Sequence, residues 1–144
     1  MILVRVMVGL VFLTEGVLKF LFPHELGAGR FAAIGLPMPH VLAPLVGVVE
    51  MAGGAAVIVN FYAGDAALLL LSVILVALVS TKLPILLGRS IGPFALAKAP
   101  HYGVLGFLHD ARTDLCMLLG TIAILTDSGV RAGSKRKWYQ PAGR

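Results

Sequence analysis

Runs of Val, Leu, Ile, Phe, Ala and Gly about twenty residues long alternate along the chain with short breaks marked by proline, glycine or polar residues. Four such runs lie at residues 1–22, 40–61, 65–87 and 104–126. At about 1.5 Å per residue, each is long enough to cross a hydrocarbon core of about 30 Å. The pattern predicts an all-α chain folded as an integral membrane four-helix bundle over residues 1–126, followed by a basic, flexible tail over 127–144. The breaks have recognisable turn chemistry. "GLPMPH" (35–40) leads into the second run, "NFYAGD" (60–65) is a tight turn, and Pro84 disturbs the end of the third run. "GRSIGPFALAKAPHYG" (88–103) is a long connection expected along the interface. The first run has no small-residue cleavage site and carries Glu15 and Lys19 within its apolar stretch, so it is expected to be retained rather than removed as a signal peptide.

The polar positions inside these runs are few, and they fall on defined faces. On a helix turning about 100° per residue, Arg5, Gly9, Phe12, Gly16 and Lys19 recur at four- and three-residue spacings and form one stripe flanked by Glu15. Its glycines allow a neighbouring helix to approach closely. Glu15 and Lys19, four apart with the acid first, are in the favourable order for an intrahelical pair. In that reading they neutralise each other while Lys19 snorkels to the interface. Gly47, Glu50 and Gly54 share one side of the second run. A carboxylate at that depth costs about 2.5–3.5 kcal/mol on insertion scales. Glu50 must therefore take a cation from another helix, Lys19 or Arg112, or stay protonated. In the fourth run His109, Arg112 and Cys116 share a face that is expected to turn inward. Asp110 and Asp114 are expected to point the other way, unless Asp110 only caps a helix that starts late. With Lys82 at the end of the third run, these residues converge on one mouth of the bundle. Glu15, Lys19, Glu50, Lys82, His109 and Arg112 are thus the candidate intramembrane polar site. Arg5 lies apart from them, near the opposite end, where anchoring to lipid headgroups suffices to explain it.

Composition agrees with this picture: 58% of the 144 residues are hydrophobic and 13% are charged, and the mean hydropathy is +0.94. Soluble domains are nearer 45–50% apolar and about 25% charged. The net charge of +5 does not mark a nucleic-acid binder. Arg131, Lys135, Arg136, Lys137 and Arg144 all sit in the last fourteen positions, and a juxtamembrane basic tail is read by anionic lipid. With four spans both termini share a side, and the tail's charges favour the cytoplasm for it.

A single cysteine, Cys116, excludes an intrachain disulfide, a two-thiol relay and a closed thiolate zinc site. No Walker loop, dinucleotide fingerprint or nucleophile elbow is present. His24, His40, His101 and His109 flank helix ends, where surface histidines are far commoner than haem ligands, so haem is not expected. Tyr62, Tyr102, Trp138 and Tyr139 lie near span ends, as interfacial aromatics do.

Taken in order, "R-x-x-x-G-x-x-F-x-x-x-G-x-x-K" from Arg5 to Lys19, "GRFAAIGLPMP" (29–39), "VGVVEMAGG" (46–54), "TKLPILLG" (81–88) and "HYGVLGFLHDARTDLCMLLG" (101–120) resemble the DoxX family of small bacterial membrane proteins. The resemblance implies a four-helix bundle in the bacterial inner membrane. Some relatives, of the DoxD type, are a subunit of thiosulfate:quinone oxidoreductase, and others associate with oxidative-stress and thiol-detoxifying partners. After "TDSG" (126–129) this chain departs from the family's Trp-Ser-Leu-Asp type of ending and continues into the basic tail with Trp138. Two function classes follow. One is an accessory or anchoring subunit of a larger inner-membrane complex, with a protein partner or a second copy beside it. The other is a quinone-binding subunit in which Lys19, Arg112 or His109 holds a carbonyl oxygen, Glu50 or Glu15 moves the proton, and a partner subunit supplies the electrons, so that the protein alone is inert. Transport or lipid handling is a weaker third class.

Overall fold

A computed structural model of the chain describes residues 1–138, with side chains through residue 127. It is helical, with no strand among the described residues. The elements are α1 (Ile2–Leu21), α2 (Ala28–Ile34), α3 (Pro39–Val59), α4 (Ala63–Ala77), a π-helical turn (Leu78–Lys82), α5 (Leu83–Leu87) and α6 (Val104–Trp138). α4, the π-turn and α5 form one continuous helical rod, Ala63–Leu87. That rod and α3 are both long and apolar enough to cross a membrane. α1 and α6 interrupt their apolar character with Arg5, Glu15 and Lys19 in the first and Asp110, Arg112 and Asp114 in the second. α6 runs past residue 126. The basic and aromatic side chains expected beyond that point, from Arg131 to Arg144, lie outside the described side chains. The short α2 falls within what the sequence pattern reads as a connection.

Helix ends are set by the chain's few left-handed residues. Gly35, Asn60 and Gly88 have φ of 90°, 61° and 63°. In each case the following N–H reaches back five residues to a helix carbonyl: Leu36 to Phe31, Phe61 to Ala56 and Arg89 to Pro84, at 2.9 to 3.2 Å. This is the usual way a glycine or asparagine stops a helix and satisfies its last carbonyls.

α1 packs on α3, α3 on α4, α4 on α6, and α6 returns to α1. One half of this ring is an apolar core that includes Val8, Phe12, Val57, Leu70, Met117 and Ile124. Outward faces carry exposed large apolar side chains, among them Leu3, Leu10, Val48, Leu68, Val79 and Leu119. An apolar exterior of that extent fits contact with lipid rather than water.

The connection 88–103 is tied to α2. Ala95 N–H donates to Ile34 O at 2.9 Å, and the Gly35 Cα packs directly against the Pro93 carbonyl, where no Cβ fits. Gly35→Ala therefore meets both a left-handed backbone and a blocked space. It is expected to cost about 1–3 kcal/mol, visible as a lower unfolding midpoint together with faster hydrogen exchange at the Ala95 amide.

Candidate functional site

Next to the apolar core, and sharing Phe12 and Met117 with it, is a cavity of about 550 Å³. Its walls are mostly apolar, with Val11, Phe12, Phe31, Ile34, Val46 and Ile74 among them. Into this apolar space project two lysines, each flanked by two carboxylates.

The first cluster is built on the α1–α3 contact. The two helices approach through glycine pairs: a Cβ on Gly54 would stand 2.6 Å from the Gly9 carbonyl oxygen, and one on Gly16 would stand 2.6 Å from that of Gly47. Near these pairs, Lys19 Nζ lies 2.6 Å from Glu50 Oε2 and 3.8 Å from Glu15 Oε2. The side chains of Lys19 and Glu50 are only 11% and 6% exposed, so the pair is largely desolvated. At that distance the ammonium and the carboxylate are in direct charge-assisted contact, and little water remains to screen it. Lys19 Nζ also donates to the Glu15 carbonyl oxygen at 3.4 Å.

The second cluster is built on the π-turn. Pro84 has no N–H for the Ser80 carbonyl, and its ring crowds the preceding turn, so a regular helix cannot pass through this point. The chain widens instead, and the Leu83 N–H bonds to Leu78 O, five residues back. Ser80, Thr81 and Lys82 are consequently all buried. Lys82 Nζ sits 2.7 Å from Asp110 Oδ2 and 3.4 Å from Asp114 Oδ2. Wide turns of this kind occur frequently at functional sites.

Of the candidates from the sequence, Glu15, Lys19, Glu50 and Lys82 line this one cavity. His109 and Arg112 do not. Both are exposed, and they bond to each other, Arg112 Nη1 donating to His109 O at 2.7 Å with the imidazole nitrogens 3.2 Å away. Cys116 is exposed as well. The expected orientation of α6 is therefore reversed. The inward stripe is Asp110, Asp114, Met117, Thr121 and Ile124, and the outward one carries His109, Arg112 and Cys116. Glu50 takes its cation from Lys19 and not from Arg112. The physical reason is Lys82: with its side chain 10% exposed, it needs carboxylates beside it, and among the described residues Asp110 and Asp114 are the ones that reach it. Sequence reasoning missed these two aspartates as cavity residues. Asp110 through Ile124 recur at three- and four-residue spacing, but so do His109, Arg112 and Cys116, and the pattern alone did not single the aspartates out.

Chemically, the cavity offers two ammonium donors on different walls and four carboxylates, so each lysine has one carboxylate more than it neutralises. Glu15 and Asp110, with side chains 51% and 37% exposed, are the more accessible member of each set. Ammonium and carboxylate groups so placed are chemically able to hydrogen-bond polar atoms of an otherwise apolar molecule and to transfer protons.

The DoxX family model matches residues 1–83 of the chain, which include Glu15, Lys19, Glu50 and Lys82. Over 124 residues the chain is 44% identical to an uncharacterized membrane protein of Mycobacterium tuberculosis, an alignment covering 86% of this chain and 72% of that relative. No solved structure matches the chain. With the paired charges of α1 and α3 inside the matched region and a membrane protein as close relative, the chain belongs to the DoxX family of membrane proteins.

Proposed function

We propose that this protein is an accessory subunit of a bacterial inner-membrane complex and that its cavity holds a quinone. In this reading α1, α3, the α4–α5 rod and α6 all cross the bilayer as a four-helix bundle, with both termini in the cytoplasm. The observation that carries it is the apolar cavity of about 550 Å³ into which two largely shielded lysines project, each beside two carboxylates. Pockets for small molecules fall at about 300–1,000 Å³, apolar with a few placed polar groups. A quinone ring is apolar with carbonyl oxygens at its two ends, and ammonium groups on different walls suit those oxygens. Reduction of the ring takes up two electrons and two protons. Glu50 or Glu15 on one side, and Asp110 or Asp114 on the other, supply the protons. The sequence carries no electron-carrier motif, so the electrons come from a partner subunit, which is why the role is an accessory one. Crosslinking in native membranes is expected to find a stable protein neighbour, and finding none overturns the accessory role.

The quinone reading is tested on protein purified in mild detergent and extracted with organic solvent. Wild type is expected to release quinone. Glu50→Gln and Lys82→Met are each expected to retain about tenfold less, the order of loss when one charged hydrogen-bonding group is removed. Arg112→Leu, whose side chain lies outside the cavity, is expected to retain the wild-type amount. No quinone in the wild-type extract, or equal retention by all four proteins, overturns the reading.

A further inference from the structure

Beside the main cavity lies a smaller vestibule of about 290 Å³, and the two share Arg30, Ile34, Thr81, Lys82 and Asp110. One wall is the connection 88–103, pinned to α2 by the Ala95–Ile34 hydrogen bond and by the Gly35–Pro93 contact. That pinning puts Lys98, from the connection, and Arg30, from α2, on one concave surface with the buried Lys82. Three cations thus line the vestibule against one carboxylate, Asp110. Asp110 is committed to Lys82, as is Asp114 on the main-cavity side. Neither Arg30 nor Lys98 makes an ion pair among the described residues.

Uncompensated cations in a concavity with low-dielectric walls focus a positive field on it. A guanidinium fork beside ammonium groups suits a tetrahedral oxyanion, which offers several oxygens in different directions. The geometry points to this vestibule as a binding site for a phosphate group, carried either by the headgroup of an anionic phospholipid or by free phosphate. The site uses Arg30 and Lys98, which the proposed quinone chemistry does not use, and it stands whether or not a quinone occupies the neighbouring cavity.

Calorimetric titration of the full chain in detergent tests it with three probes: dihexanoyl phosphatidylglycerol, dihexanoyl phosphatidylcholine and inorganic phosphate. Wild type is expected to bind phosphatidylglycerol or phosphate and to ignore the zwitterionic lipid. The Arg30→Gln/Lys98→Gln double variant is expected to bind at least about tenfold more weakly. Binding of phosphatidylglycerol alone assigns the site to a lipid headgroup, whereas equal variant dependence with inorganic phosphate assigns it to the soluble ion. Absence of binding by both anions, or binding unchanged in the double variant, overturns the proposal. Lys98→Gln alone, on the exposed connection, decides the matter should the double variant be unstable. Because Lys98 lines only the vestibule, that variant also separates the two sites: it weakens the anion and leaves quinone retention as in wild type, whereas Glu50→Gln does the opposite.

Discussion

Lys19→Met is expected to destabilise the protein by about 3–5 kcal/mol, the loss found when one partner of a buried ion pair is removed and the other is left without compensation. Glu50 is the group left behind. Its side chain is 6% exposed and, among the described residues, its close cation is Lys19, at 2.6 Å. Glu15 loses the same cation at less cost, because it is half exposed and its contact is longer, at 3.8 Å. Reversible unfolding in mixed micelles measures the difference. The Lys19→Met/Glu50→Leu double variant should return to within about 1 kcal/mol of wild type or exceed it, since well-packed apolar residues commonly replace a buried pair without loss. That recovery distinguishes an uncompensated charge from a simple packing defect. A double variant as unstable as Lys19→Met alone contradicts the account.

Gly54→Ala is the second large effect. The added Cβ would stand 2.6 Å from the Gly9 carbonyl oxygen and 2.9 Å from the Leu13 amide nitrogen, and both are backbone atoms that give way only if α1 and α3 move apart. Overpacking at such a wall costs about 3 kcal/mol, the upper part of the usual range. Alanine's better helix propensity returns about 1 kcal/mol. The expected net loss is about 2 kcal/mol by the same unfolding measurement. Gly53→Ala, one residue earlier, provides the contrast. There the new Cβ meets the Leu70 side chain at 2.9 Å, a group that can rotate away, and the loss should be smaller. If the two variants are equally unstable, close approach of backbones is not what the glycines of this interface provide.

Both predictions rest on features largely visible in the sequence. Apolar runs marked α1, α3, the α4–α5 rod and the start of α6, because run length and breaking residues act locally. The Lys19–Glu50 contact was also foreshadowed: glycines on the same face as each charge imply close helices, and a carboxylate in the middle of a run demands a cation. What was illegible depends on relations between elements. Two stripes of α6 have helical spacing, and nothing within α6 says which turns inward. The choice is made by Lys82, on the neighbouring rod. α2 was missed because seven residues carry too little periodicity to stand out from a connection. Pro84 announced a disturbance in the third run, but whether a helix answers a proline by kinking, ending or widening depends on what packs around it.

The widened turn has a consequence for the whole rod. One added residue advances the angular phase of everything after it by about 100° relative to an uninterrupted helix. Before the turn, the rod presents Leu70 to Gly53 of α3, and at its end it presents Lys82 to Asp110 of α6. A rigid cylinder with one fixed seam would have to compromise between these neighbours. The dislocation at residues 78–82 lets a single rod keep two separately aligned seams, one oily and one ionic.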